Sequence, residues 1–279
     1  MIRKVILTLD GSPSTKAVYD AGVWIGLGFM ARVTGVHVID VVALEGPILH
    51  DISGSLGIEP FLNFSTKMKE ALTERGEEIL KSAKESSVPD RIELDTRLLS
   101  GIVSREIIKA AEMSDLLIVG RRGVNAEFEY ELLGSTTESI IRKAPVPVLV
   151  VPESFTAPTK PIICFDGGPS ASASLKFATE VCKSLRLKPE VIVVGDDSDE
   201  NGAMLKEAED YIKSHKIDAK YTSLSGIPHK AIVDHAVEND IDAIFIGATH
   251  HSAIYEMVLG STTEHVMRSL NVPFFVHRS

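Results

Sequence analysis

The residues of this chain best suited to chemistry are short glycine turns, and they come in two sets. The first set is Asp10-Gly11-Ser12-Pro13, Gly120-Arg121-Arg122-Gly123 and, ten residues later, Gly134-Ser135-Thr136. The second is Asp166-Gly167-Gly168-Pro169, Gly247 with His250 and, nine residues after that histidine, Gly260-Ser261-Thr262. Glycine lets a backbone approach a ligand closely and turn its N–H groups toward phosphate. Gly134-Ser135-Thr136 then opens a helical pattern, and a helix N-terminus favours anions. Phosphate binding is the chemistry such turns would do.

Plainer readings compete. Ser135 to Glu138 and Ser261 to Glu264 are each S-x-x-E, the capping-box spacing, which needs no ligand. Asp10 and Ser12 suit a strand-to-helix turn with proline early in the helix. Arg121 and Arg122 are either solvated or reach phosphate oxygens, which guanidinium binds well. His250 and His251 are adjacent, so they point apart, and no Asp/His/Cys cluster accompanies them. A neutral pocket histidine is expected there, and no metal. No Walker loop, GxSxG elbow or nucleophile with a placed base is visible, so no dedicated enzyme is expected.

These turns need elements to hold them, and the chain supplies them twice. LGSTTE recurs unchanged at Leu133–Glu138 and Leu259–Glu264. VILTLDGSPSTKA resembles IICFDGGPSASAS, and LLSGIVSREIIKAAEMSDLLIVG resembles SLSGIPHKAIVDHAVENDIDAIFIG, in the same order in both halves. The reading is a duplicated domain, 1–152 and 161–279, with a proline-bearing linker at 153–160. Short apolar runs predict strands near 3–9, 33–39, 92–98, 115–119 and 146–151, and again near 161–165, 190–195, 219–224, 242–246 and 272–276. Helical spacing between them (Ala17, Ala21, Trp24, Gly28; Val103, Ile107, Ala110) gives alternating strand and helix. That predicts an α/β chain of two doubly wound five-stranded parallel sheets in tandem. In such sheets the ligand crevice lies beyond the carboxyl ends of the strands at the switch point, just after strands one and four. The first copy carries about thirty extra residues near 45–87, loop-like at the front and a charged helical pattern from 61 to 86.

The net charge of −10 argues against a nucleic-acid binder but not against a small anion held by backbone amides. Two separate cysteines, Cys164 and Cys182, in apolar surroundings suit reduced thiols. The N-terminal apolar run is too short for a secretion signal, and no stretch approaches the ~18 residues that span a bilayer. A cytoplasmic protein without membrane contact is expected.

Gly120, Gly123, Gly134 and Ser135 resemble the G-x2-G-x9-G-(S/T) motif of ATP-binding universal stress proteins, with one extra residue in the long gap. In the second copy the gap is right, but His250 replaces the second glycine. The resemblance covers nearly the whole chain, twice. It implies an adenine-nucleotide α-hydrolase-like fold, strand order 3-2-1-4-5 in each half, holding ATP, ADP or AMP with or without Mg²⁺. It also implies that Asp10 lies beside the adenine and ribose, with Val38 or Ile39 flanking the base. The final strand of each copy is expected to pair with its twin inside the chain, making an internal pseudo-dimer, with pairing of whole chains left open. A structural or adaptor protein that binds no nucleotide, and a slow ATPase, stand as rival readings.

Overall fold

The computed structural model describes residues 1–41, 61–123, 133–248 and 260–278, with side chains from 66 onward in the segment that starts at 61. In the first half the order is β1 (Lys4–Thr8), α1 (Thr15–Phe29), β2 (Arg32–Asp40), α2 (Phe61–Ser87), β3 (Leu94–Gly101), α3 (Val103–Ala111), β4 (Leu116–Gly120), α4 (Ser135–Lys143) and β5 (Val148–Val151). The second half repeats it as β6 (Pro161–Cys164), α5 (Pro169–Leu185), β7 (Glu190–Val194), α6 (Ser198–Ser214), β8 (Lys220–Leu224), α7 (Pro228–Glu238), β9 (Ala243–Ala248), α8 (Ser261–Ser269) and β10 (Phe274–Arg278). The loop-like stretch expected at 46–60 lies outside the described residues. The charged helical pattern after it is α2.

Each half has the strand order 3-2-1-4-5, and neighbouring strands within a half are parallel. The closing strands of the two halves pair inside the chain, as expected. The halves share a single ten-stranded sheet, β3-β2-β1-β4-β5-β10-β9-β6-β7-β8. Its centre is the antiparallel pair β5–β10, in register Val148↔Val276, Leu149↔Phe275 and Val150↔Phe274. The reason is burial and backbone satisfaction. β5 is apolar and buried along its length, and standing alone it would leave a row of unpaired N–H and C=O groups at an apolar edge. Its duplicate has the same need, so each covers the other.

The alternation of side chains across this sheet makes two cores, and both run through the two halves. One face carries Leu7, Leu149, Phe275 and Ile163 under α1, α2, α5 and α6. The other carries Ile6, Val150, Phe274 and Ile162 under α3, α4, α7 and α8. On the first face α1 meets α5 across the seam, and a Cβ on Gly28 would lie 2.0 Å from Leu185 Cδ2. Trp24 sits 5.6 Å from Phe155 and 6.4 Å from Phe275 between ring centroids, and Phe275 stacks on Phe245 at 4.3 Å. Among the described residues no helix is long and apolar enough to cross a membrane.

A core shared this way should unfold as one unit. Phe275→Ala removes the ring at the centre of the seam and is expected to cost roughly 3–5 kcal/mol. Urea unfolding followed by Trp24 fluorescence should show a single transition moved to lower denaturant. Two separate transitions in the unmodified protein would contradict the shared core.

Candidate functional site

The site forms where β1 and β4 end side by side and their following turns diverge. After β1 the chain must reverse into α1 at once. Gly11 does so at φ +78°, in the left-handed region that costs a residue with a Cβ about 1–2 kcal/mol. Asp10 secures the turn with one oxygen: Oδ1 accepts from the Ser12 amide at 2.9 Å and from the Thr15 hydroxyl at 3.0 Å. The Thr15 hydroxyl in turn accepts from the Gly11 amide at 2.9 Å. The other oxygen faces the second turn, since a Cβ built on Gly123 would lie 3.2 Å from Asp10 Oδ2. The two turns predicted to share a ligand are thus in contact range. Ser12 is buried in the turn, and its hydroxyl finds no partner among the described residues.

The glycines after β4 have different jobs. A Cβ on Gly120 would fall 2.7 Å from Ser14 Cβ, so this glycine admits the start of α1. Gly247 repeats this more severely, with the Ser170 and Ala171 backbone 2.7–2.9 Å from its missing Cβ. Gly134, by contrast, would place a Cβ at ordinary contact, 3.6 Å from the 121–123 backbone. Hydrogen bonds tie this loop to the next helix: Gly134 N–H donates to Arg121 O at 3.1 Å, and the Thr137 hydroxyl to Gly120 O at 2.8 Å. The second half repeats the latter, with the Thr263 hydroxyl donating to Gly247 O at 3.1 Å.

The capping box is not formed. Gly134 and Gly260 are the N-caps, and no side chain caps either helix. Ser135 and Ser261 fall one residue inside, as the first helical residues. Glu138 pairs forward with Arg142, and Glu264 with Arg268 at 2.7 Å. The first-turn amides of α4 and α8 are therefore not taken up by a capping side chain, and they carry the positive end of the helix dipole.

Around these turns lies a cavity of about 350 Å³. Asp10, Gly120, Arg122, Gly123 and Gly134–Thr136 line it, as do Val38 and Ile39 at the end of β2. Arg121 does not. Its guanidinium crosses the seam to the end of α8, donating to Leu270 O at 2.7 Å and to Met267 O at 2.5 Å. Burial, and then Arg122 beside it, lower its pKa from the usual arginine value. The expectation that either arginine reaches ligand phosphate is corrected for Arg121, because helix-end carbonyls take it up. Arg278 makes the reciprocal crossing, donating to Arg142 O at the end of α4.

Several lining residues were not singled out from sequence: Thr8, His37, Asp40, Arg75, Val103 and Ile107. His37 is fixed by its Nδ1, 2.6 Å from Leu9 O. Arg75 comes from α2, and its guanidinium lies 3.5 Å from a Cβ built on Gly11. Nothing in a charged helical pattern marks which of its cations turns inward. Val103 and Ile107 had a readable signal, their shared helical face.

The second half holds an equivalent cavity of about 290 Å³. Asp166 and Gly167 (φ +74°) repeat the β1 turn, and Asp166 Oδ1 accepts from the Gly168 amide at 2.9 Å. Asp166, Gly247 and Gly260–Thr262 line the cavity; Gly167 and Gly168 stand in the turn behind. Cys164 occupies the place of Thr8, and burial, with Asp166 nearby, pushes its thiol up to about 12. His250 lies outside the described residues.

Comparison with known proteins agrees with this geometry. The universal stress protein family matches residues 1–152 and again 163–278. The chain belongs to that family. A full-length relative, universal stress protein Slr1230 of Synechocystis, is 26% identical over 287 residues, covering 99% of this chain and all of its own. Universal stress protein MJ0531 of Methanocaldococcus jannaschii is 30% identical over 153 residues, covering 54% of this chain and 82% of its own. Among solved structures, a universal stress protein from Archaeoglobus fulgidus superimposes with a TM-score of 0.77 at 24% identity, covering 99% of this chain and 98% of that one. The tandem arrangement is thus shared along the full length with another universal stress protein fold.

Within this universal stress protein the motif glycines divide into packing and open positions, and substitution should separate them. Gly247→Ala forces a methyl onto backbone and is expected to cost roughly 1–3 kcal/mol of stability. Gly134→Ala meets only ordinary contacts and should cost at most about 1 kcal/mol, the scale of an N-cap change. Thermal unfolding of both variants tests the order; equal losses would refute the division.

Proposed function

We propose that the first half binds an adenine nucleotide, ATP being the form that best suits the cavity, and that the protein acts in regulation or protection through this binding. The carrying observation is the convergence of two turns on one cavity, with Asp10 Oδ2 facing Gly123 and an uncapped helix start beside them. The cavity is lined by both charged and apolar side chains. Arg122 and Arg75 supply cations, and Gly123, Gly134, Ser135 and Thr136 supply a backbone that a phosphate chain can approach. Guanidinium and amide donors both suit phosphate oxygens. Val38, Ile39, Val103 and Ile107 form an apolar wall that suits a base. The Asp10 oxygen that faces Gly123 can accept from a ribose hydroxyl. The first half is favoured over the second because only its cavity has cationic side chains among the described lining residues. Mg²⁺ would accompany the phosphates as part of the ligand.

The test is calorimetry and thermal unfolding with ATP, ADP and AMP, each with and without Mg²⁺. Ligand at a hundred times its dissociation constant should stabilise the protein by about 2.7 kcal/mol. Gly123→Val puts a branched side chain against Asp10 and should abolish binding. Arg122→Ala should weaken ATP more than AMP, by about tenfold or more, the loss expected for a charge-assisted hydrogen bond. No heat and no melting shift with ATP and Mg²⁺ at roughly millimolar concentration, well above useful nucleotide affinities, would overturn the reading and leave the adaptor role in its place.

A further inference from the structure

Two histidines from different helices meet at the surface of the second half. His229 is the second residue of α7 and His265 the fifth of α8. Their ring centroids lie 4.2 Å apart, with the planes tilted by 45°. His229 is half-buried and His265 is exposed. Among the described residues, no hydrogen bond or ion pair takes up a ring nitrogen of either. Neither lines the second cavity, so the pair is separate from the sites described above. The fold does not require rings at these places. In the first half the second residue of α3 is Ser104 and the fifth of α4 is Ser139, in helices that cover the same face of the sheet. The same layer is thus built with two small hydroxyls in one copy and two imidazoles in the other.

Two neighbouring imidazoles on separate helices form a chelating pair, and imidazole nitrogen suits Zn²⁺, Ni²⁺ and Cu²⁺. Rings 4.2 Å apart need to part by only about 1 Å for two nitrogens to stand ~2.0–2.1 Å from one ion. The exposed ring of His265 has room for that turn. We propose that His229 and His265 bind one transition-metal ion of this group, and that the ion ties α7 to α8. Among the described residues no third His, Cys, Asp or Glu joins them. Glu264, next to His265 in the chain, is paired with Arg268 at 2.7 Å. Water therefore completes the coordination, and the site is open and exchangeable, unlike the closed four-ligand shell of a structural zinc. Pro228, beside His229, and Thr263, one turn of chain before His265, line the second cavity, so the bridge would hold two parts of its wall together. None of this depends on which ligand either cavity takes.

The test is isothermal titration of the full chain with Zn²⁺ and Ni²⁺ in a non-coordinating buffer, beside melting curves with the same ions. Either ion should bind and raise the melting temperature by linkage. Mg²⁺ and Ca²⁺, which take oxygen ligands, should do neither. His229→Gln and His265→Gln each remove one of the two protein ligands. Each should weaken binding tenfold or more, since even a partner outside the ligand shell is worth about that much. Both changes lie at the surface, and unchanged melting of the metal-free variants checks that they fold. Hydrogen exchange adds a readout of the bridge itself: Zn²⁺ should slow amide exchange in α7 and α8 together, and in neither helix of the two variants. No heat and no melting shift at roughly millimolar Zn²⁺ or Ni²⁺, the weak end of specific binding, overturns the proposal. Binding that survives either substitution places the ion at other histidines or at Cys164 and overturns it too. Protection of one helix alone does the same, because an ion on a single imidazole ties nothing together.

Discussion

The pairing of β5 with β10 is the contact on which the rest of the molecule depends. Each half ends in an apolar strand that leaves one edge of a five-stranded sheet open. An open edge of that kind lacks backbone partners and invites association. Antiparallel pairing of the duplicates satisfies both edges at once. It also makes each hydrophobic layer continuous, so Leu149 and Phe275 belong to the same core. The seam fixes where the two cavities lie, because the switch points β1/β4 and β6/β9 stand two strands away from it on either side.

The crossings by Arg121 and Arg278 follow from the same geometry. Each lies at the carboxyl end of the sheet close to the seam, within reach of the last turn of the other half's helix. A helix end presents unpaired carbonyls and the negative end of its dipole, which suits a guanidinium. Arg121 therefore acts as a fastener between halves, while its neighbour Arg122 faces the cavity. Two adjacent arginines in one loop have separate tasks, Arg121 on the last turn of α8 and Arg122 in the cavity lining.

The two halves illustrate how duplication frees one copy to change. The features that build the fold recur: a left-handed glycine after the first strand, a glycine after the fourth, and a threonine tying the last helix back to that strand. Among the described lining residues, Asp10 recurs as Asp166, while Arg75 and Arg122 have no cationic counterpart in the second cavity. Packing constraints act equally on both copies, since both must close the same sheet.

Much of this was legible in the sequence. The repeat of LGSTTE, the apolar strand runs and the turn residues determined the doubly wound order, the duplication and the place of the crevice, because these depend on local pattern and on the rule that ligands sit at switch points. Asp10, Gly123 and Gly134 were legible as turn residues next to strand ends, and the turns they form line one cavity. Tertiary structure alone decided three things. It set the register in which the closing strands pair, Leu149 against Phe275, since strand order does not fix register. It showed that Gly134, not Ser135, caps the helix, since one residue of register separates the two and the pattern S-x-x-E does not fix it. It sent Arg121 across the seam and brought Arg75 and His37 into the cavity, since the direction of a long side chain is set by neighbours distant in sequence.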